Sequence, residues 1–145
     1  MTELITIVPV ADDVSAPYWE GAARGELRLQ RCPNCHAVWH PPLPRCPRCP
    51  TPDAPQWFAA TGEGVVESAT VVHRAGHPAF ADRVPYVVIG VRLTEGPLVV
   101  TNLVDHDDPE RLVAVAPAGG TAVAVVFAGV APGIALPQFR RRERA

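Results

Sequence analysis

Two cysteine pairs constrain this chain more than any other feature. Cys32-Pro-Asn-Cys35 and Cys46-Pro-Arg-Cys49 repeat a CxxC unit across a gap of ten residues. A two-residue spacer lets both sulfurs of a pair, with nearby backbone amides, converge on one side of a tetrahedral ion. A proline after the first cysteine preorganises the knuckle. Together Cys32, Cys35, Cys46 and Cys49 fill all four positions, so the expectation is a structural zinc with no room for substrate or activated water. Rubredoxin-like iron and redox dithiols are the alternatives. Glycine usually follows such a pair and relieves the turn, but here His36 and Pro50 stand there. Pro50 cannot turn left-handed, which predicts a distorted second knuckle. His36 and His40 are near enough to be considered as ligands, yet four thiols already satisfy the ion, so they read as surface or packing residues.

Composition narrows the chemistry outside the cluster. All 13 basic residues are Arg, which excludes Schiff-base chemistry, and the two serines, Ser15 and Ser68, lack a glycine-flanked elbow. With the thiols committed to metal, no nucleophile is left, so no catalytic residue is assigned and the chain is not expected to be an enzyme by itself. The net charge of −2 argues against a general nucleic-acid surface. Charge is uneven, because residues 24–50 hold five Arg against one Glu and residues 51–139 hold nine acids against four Arg. No apolar run approaches the roughly 20 residues needed to cross a bilayer, and the N-terminus lacks a signal-peptide pattern, so the expectation is a cytoplasmic protein without membrane association.

A length of 145 residues suits one compact body, and 17 Pro with 11 Gly favour short strands over long helices. Residues 1–14 read as an acidic lead-in. A short helix follows, with Ser15 as cap, Pro17 in the first turn and Gly25 ending it. Its Tyr18 and Trp19 pack on the core or anchor a partner. Residues 26–31 alternate as a strand, with Leu27 and Leu29 on one face, and 37–40 return as a second one. Pro52 and Pro55 mark the exit from the ribbon. Apolar runs at 65–73, 86–93, 98–104, 121–128 and 134–139 give five strands. Asp108-Pro109 starts a helix between the third and fourth, where an OB barrel has one. The fold class is therefore mainly β, with tail and helix over 1–25, a zinc ribbon over 26–57 and a five-stranded barrel with a basic tail over 58–145. Val87, Ile89, Val91 and Leu93 point inward. Other strands are apolar on both faces, more than one short helix covers, which leaves surface for a partner.

Three further constellations carry weaker signals. His73 and His77 have the offset of a metal-binding helix, but Gly76 and Pro78 oppose a helix; an exposed loop, or with Arg74 a phosphate contact, remains. His106-Asp107-Asp108 resembles a ligand set, although capping explains it. The tail Arg140-Arg141-Arg142-Glu143-Arg144 suits acyl-CoA phosphates, an acidic partner or plain solvation.

The ordered set Tyr18-Trp19-Glu20-Gly21, Gly25 to Cys32, His40-Pro41-Pro42, Cys46 to Cys49, Gly62 to Arg74, Gly96 to Leu103 and Leu136-Pro137-Gln138-Phe139-Arg140 resembles the zinc-ribbon and OB-fold family of acyl-CoA-associated proteins. The resemblance implies an N-terminal helix, a rubredoxin-like ribbon and an OB barrel. It also implies a small companion of a thiolase-like large subunit, in a heterotetramer or larger, acting on steroid or lipid side chains by retro-aldol cleavage or on acetyl groups by transfer. The partner would supply the catalytic groups and bind most of the acyl-CoA; independently of the resemblance, the aromatic helix with Trp19 and the terminal segment with Phe139 offer anchors at the two ends of the chain. The stretch 113–120 departs from the family's tidier turn. A single-stranded nucleic-acid binder and an autonomous enzyme are the competing classes.

Overall fold

The computed structural model describes residues 7–106, 108–114 and 117–142. Met1 to Thr6 of the acidic lead-in, Asp107, Val115-Ala116 of the stretch before the fourth barrel strand, and Glu143 to Ala145 of the basic tail lie outside the described residues.

Helix α1 (Ala16–Ala23) has Pro17 in its first turn. Ser15 does not cap it through its side chain. Its hydroxyl instead accepts from Asp12 N at 3.1 Å while Asp12 Oδ1 accepts from Ser15 N at 2.7 Å, closing the turn just before the helix. At the other end Glu26 N bonds Gly21 O at 2.8 Å and Gly25 N bonds Ala22 O at 3.1 Å, with Gly25 at φ 79°. That pair of bonds requires a left-handed residue, which glycine supplies without a Cβ clash. Gly21 matters for space instead, since a Cβ there would stand 2.6 Å from Arg28 Cγ.

The ribbon sheet has the order β2-β1-β3, from β1 (Arg28–Arg31), β2 (Val38–Trp39) and β3 (Gln56–Ala59). The sequence pattern did not mark β3, whose Trp57 and Phe58 pair with Gln30 and Leu29. The Arg31 guanidinium lies 4.1 Å over the Phe58 ring.

Five longer strands close the barrel in the order β4-β5-β6-β8-β7: β4 (Glu63–Val72), β5 (Tyr86–Leu93), β6 (Leu98–Leu103), β7 (Ala122–Ala131) and β8 (Ile134–Arg141). Helix α2 (Pro109–Ala114) sits between β6 and β7, as expected, and Asp108 Oδ1 accepts from Glu110 N at 3.0 Å. Val87, Ile89, Val91 and Leu93 are all buried. They share one core with Tyr18, Leu27 and Leu29, so α1, the ribbon and the barrel pack on a common apolar centre. No helix among the described residues is long and apolar enough to cross a membrane.

One expectation fails here. Phe139 is not an exposed anchor but a fully buried core residue on β8, opposite Leu103 in the single parallel pairing of the barrel. Alternation along β8 turns it inward, and closure of β6 on β8 seals it. Phe139→Ala should therefore cost about 3–5 kcal/mol in denaturant unfolding, the range for emptying a buried aromatic site. A loss under about 1 kcal/mol would mean that Phe139 is not part of the core.

Candidate metal centre

The four cysteines come from two loops that leave and re-enter the ribbon sheet. Their sulfurs all lie within 4.8 Å of one another. Cys32 Sγ is 3.5 Å from Cys49 Sγ, and Cys35 Sγ is 3.6 Å from Cys46 Sγ. A zinc bound at about 2.3 Å by four thiolates needs sulfur–sulfur edges of about 3.8 Å, so the cluster fits that ion. Thiolates also need donors. Cys35 N approaches Cys32 Sγ at 3.4 Å, and Arg48 N and Cys49 N approach Cys46 Sγ at 3.3 and 3.4 Å. The second knuckle thus keeps its amide-to-sulfur bonds, but among the described residues it has no counterpart to the His36 N to Cys32 O bond at 3.1 Å that closes the first, as expected where Pro50 brings no N–H. In the first knuckle His36 takes the left-handed conformation itself, at φ 62°.

Acidity is unevenly shared among the thiols. The Asn34 side-chain amide, 3.6 Å from Cys49 Sγ, together with the Thr51 backbone amide, holds the Cys49 thiol down at about 6. The Ala37 amide lowers Cys35, but burial and the neighbouring sulfurs outweigh it and push that thiol up to about 11.

Behind the cluster, Gln30 is a buried polar residue that the alternation of β1 would have placed outward. Its side chain accepts from Leu43 N at 2.7 Å and donates to Leu43 O at 2.9 Å. The amide imitates a strand partner and holds the proline-rich passage between the cysteine pairs, which lacks N–H groups of its own at Pro41, Pro42 and Pro44. Neither Gln30 nor Asn34 was singled out from the sequence. A glutamine at a strand position followed by a proline run that needs a partner is the signal that was available.

The remaining candidates disperse. His77 Nδ1 accepts from Ala79 N at 3.1 Å and so starts the short helical turn Pro78–Phe80, while His73 is exposed nearby. His106 lines a cavity of about 710 Å³ with Asp105, Ala124 and Arg140 to Arg142. Two of those arginines are already engaged: Arg141 with Asp105, and Arg142 with Glu63 at 3.3 Å. Trp19 packs half-buried beside the core. Tyr18 is buried, which pushes its hydroxyl up to about 12. His40 stacks 5.2 Å from the Tyr18 ring and is a packing residue, as expected, with burial lowering its pKa.

A closed four-thiol cluster in a ribbon, sharing its core with a five-stranded barrel, defines a zinc-ribbon and OB-fold protein. Residues 19–53 match the family model "ChsH2, rubredoxin-like zinc ribbon domain", and residues 57–128 match "ChsH2, C-terminal OB-fold domain". The solved "Ltp2-ChsH2(DUF35) aldolase" aligns with a TM-score of 0.75 and 38% identity, over 92% of this chain and 98% of that one. The chain belongs to the ChsH2 (DUF35) family. A DUF35 protein of unknown function from Sulfolobus solfataricus has the same fold, with a TM-score of 0.60 at 9% identity over 91% of this chain and 87% of that one.

Two curated relatives are similar in sequence. One is a probable enoyl-CoA hydratase alpha subunit of Thermomonospora curvata, 38% identical over 91% of this chain. The other is a DUF35 domain-containing scaffold protein of Methanocaldococcus jannaschii, 33% identical over 52% of it. The chain spans 39% and 52% of the lengths of these two relatives.

The His40 packing gives a pH signature. Its folded-state pKa lies below the ordinary 6.5, so the unfolded chain takes up a proton first as pH falls. Stability is full above pH 6.5 and declines from there down to the folded value. His40→Gln should flatten the fall in unfolding midpoint between pH 7.5 and 5.5, with thiol protonation common to both proteins. Equal slopes for the two would contradict the packing of a neutral imidazole.

Proposed function

We propose that this chain is the non-catalytic, zinc-binding subunit of a thiolase-like acyl-CoA enzyme that cleaves or forms a carbon–carbon bond. A structural zinc is held by Cys32, Cys35, Cys46 and Cys49 and fixes the ribbon, leaving no coordination position for chemistry. The observation that carries the reading is the near end-to-end correspondence with the ChsH2 (DUF35) chain of a solved aldolase. In this reading the large subunit supplies the nucleophile and base, and binds most of the acyl-CoA. The present chain stabilises it and helps to form the substrate site, in a heterotetramer or larger assembly. The substrate class is a hydroxyacyl thioester of a steroid or lipid side chain, opened by a retro-aldol step. A reducing cytoplasm suits a chain whose cysteines are all free thiols.

This reading agrees with the chemistry the chain lacks. Carbon–carbon cleavage beside a thioester needs a group that takes or gives a proton at the reacting carbon, and often a nucleophile. There is no Lys in the sequence, and the four thiols are committed to the ion.

The test is to assay the purified chain, the large subunit and the co-expressed pair on hydroxyacyl-CoA thioesters. The expected result is no turnover by this chain alone, and loss of activity or solubility of the large subunit without it. Turnover by this chain alone, or a large subunit fully active without it, would overturn the proposal.

A further inference from the structure

The barrel exposes large hydrophobic side chains in one place. Among the described residues these are Val65, Leu98 and Val100, at 42, 38 and 68% exposure, and all three lie on the outer face of β4-β5-β6. The register explains the clustering. Val65 and Leu98 both stand opposite Arg92, and Val100 stands opposite Gly90, which in turn faces Ser68. Gly90 has no room for a side chain, since a Cβ there would lie 2.7 Å from Ser68 Oγ, so the middle of the face is flat. Val88, one step further along β5, continues it.

Charge identifies what kind of partner fits. The cation on this face, Arg92, is fully engaged: its Nε and Nη2 donate to the two carboxylate oxygens of Glu67 at 2.8 and 3.1 Å, and Nη1 donates to Gly96 O at 2.9 Å. The same contact lowers the Glu67 carboxyl below its usual range. An OB barrel that takes single strands uses this strand pair with free cations and stacking aromatics. Here the strip itself is aliphatic, and its charge is engaged within the chain: Phe80, Arg83 and Tyr86 border it beyond Val88, with the Arg83 guanidinium 5.7 Å over the Phe80 ring. It therefore complements an uncharged apolar protein surface and does not complement phosphate. The strip is also continuous with the helix end of the molecule. Val100 lines a cleft of about 230 Å³ together with Tyr18, Trp19, His40, Leu136 and Pro137. Backbone pairing offers no alternative at β5, which is hydrogen-bonded on both sides.

We propose that the outer β4-β5-β6 strip centred on Val100, running into the Trp19 cleft, is the surface on which the large subunit docks. The proposal rests on the subunit reading above and adds the face that makes the contact.

The test uses the complete chain co-expressed with the large subunit, comparing wild type with Val100→Arg and Val100→Thr. Both substitutions lie on an exposed outer position, and equal zinc content and unfolding midpoint establish that each variant is folded. The expected result is that Val100→Arg weakens association about tenfold or more, with Val100→Thr intermediate, because a central apolar contact is replaced by a charge with no partner. Wild-type complex with both variants binding as tightly would overturn this face alone. No association by the wild-type chain would overturn the subunit reading and this face with it. Sedimentation showing that Val100→Arg abolishes a dimer of the isolated wild-type chain, or a titration showing that it abolishes single-strand binding, would overturn the proposed occupant.

Discussion

Closure of four thiols around one point is the constraint on which the ribbon half depends. The segment from Arg28 to Ala59 contributes three short strands, one of them two residues long, and few fully buried apolar side chains besides Leu29. Such a sheet has too little apolar burial to hold itself together, since short, two- or three-stranded pieces are marginal in water without a staple. A structural zinc contributes on the order of 10–16 kcal/mol of apparent binding free energy, comparable to the stability of an entire domain. The amide-to-sulfur contacts of both knuckles and the Asn34 contact to Cys49 serve the same end, because each offsets thiolate charge that would otherwise repel.

Fixing the knuckles orders what lies behind them. Gln30 reaches the proline-rich passage and holds Leu43 as a strand partner would, so β1 is bonded on both sides and through a side chain. Strand β1 and the residue just before it then deliver Leu29 and Leu27 to the core that Tyr18 and the barrel valines share. The chain continues into the barrel without a slack linker: Ala60 N bonds Leu27 O at 2.7 Å, and Val125 N bonds Gly62 O at 2.7 Å. Ribbon, helix and barrel are therefore linked through one core and through backbone bonds across their junctions.

Much of this was legible in the sequence because the signals were local. The cysteine spacing fixed the ligand geometry, period-two alternation gave the inward set Val87, Ile89, Val91 and Leu93, and Asp108-Pro109 marked α2. What escaped depended on tertiary context. Strand β3 follows two prolines and has no alternation of its own; it is a strand because β1 offers it an edge. Phe139 looked like an anchor from its place near the end of the chain, whereas the closing of β6 on β8 buries it. Ser15 looked like a helix cap, but Asp12 captures it first. Pro50 removes the closing turn bond of the second knuckle, while the Arg48 and Cys49 amides still reach Cys46 Sγ. Arg141 and Arg142 read as solvated until Asp105 and Glu63 were brought beside them.

Function follows from what the fold withholds as much as from what it presents. The four-thiol site leaves no open coordination position and the exposed apolar strip carries a self-neutralised ion pair, which is what the proposed role beside a catalytic partner calls for. The central claim is that zinc-dependent folding of this chain underlies assembly with a large subunit. Native mass spectrometry of the co-expressed complex measures both at once. The expected result is a large subunit with one zinc per copy of this chain, and chelation that strips zinc and releases the chain together. A folded, zinc-free chain that stays in the complex would contradict it.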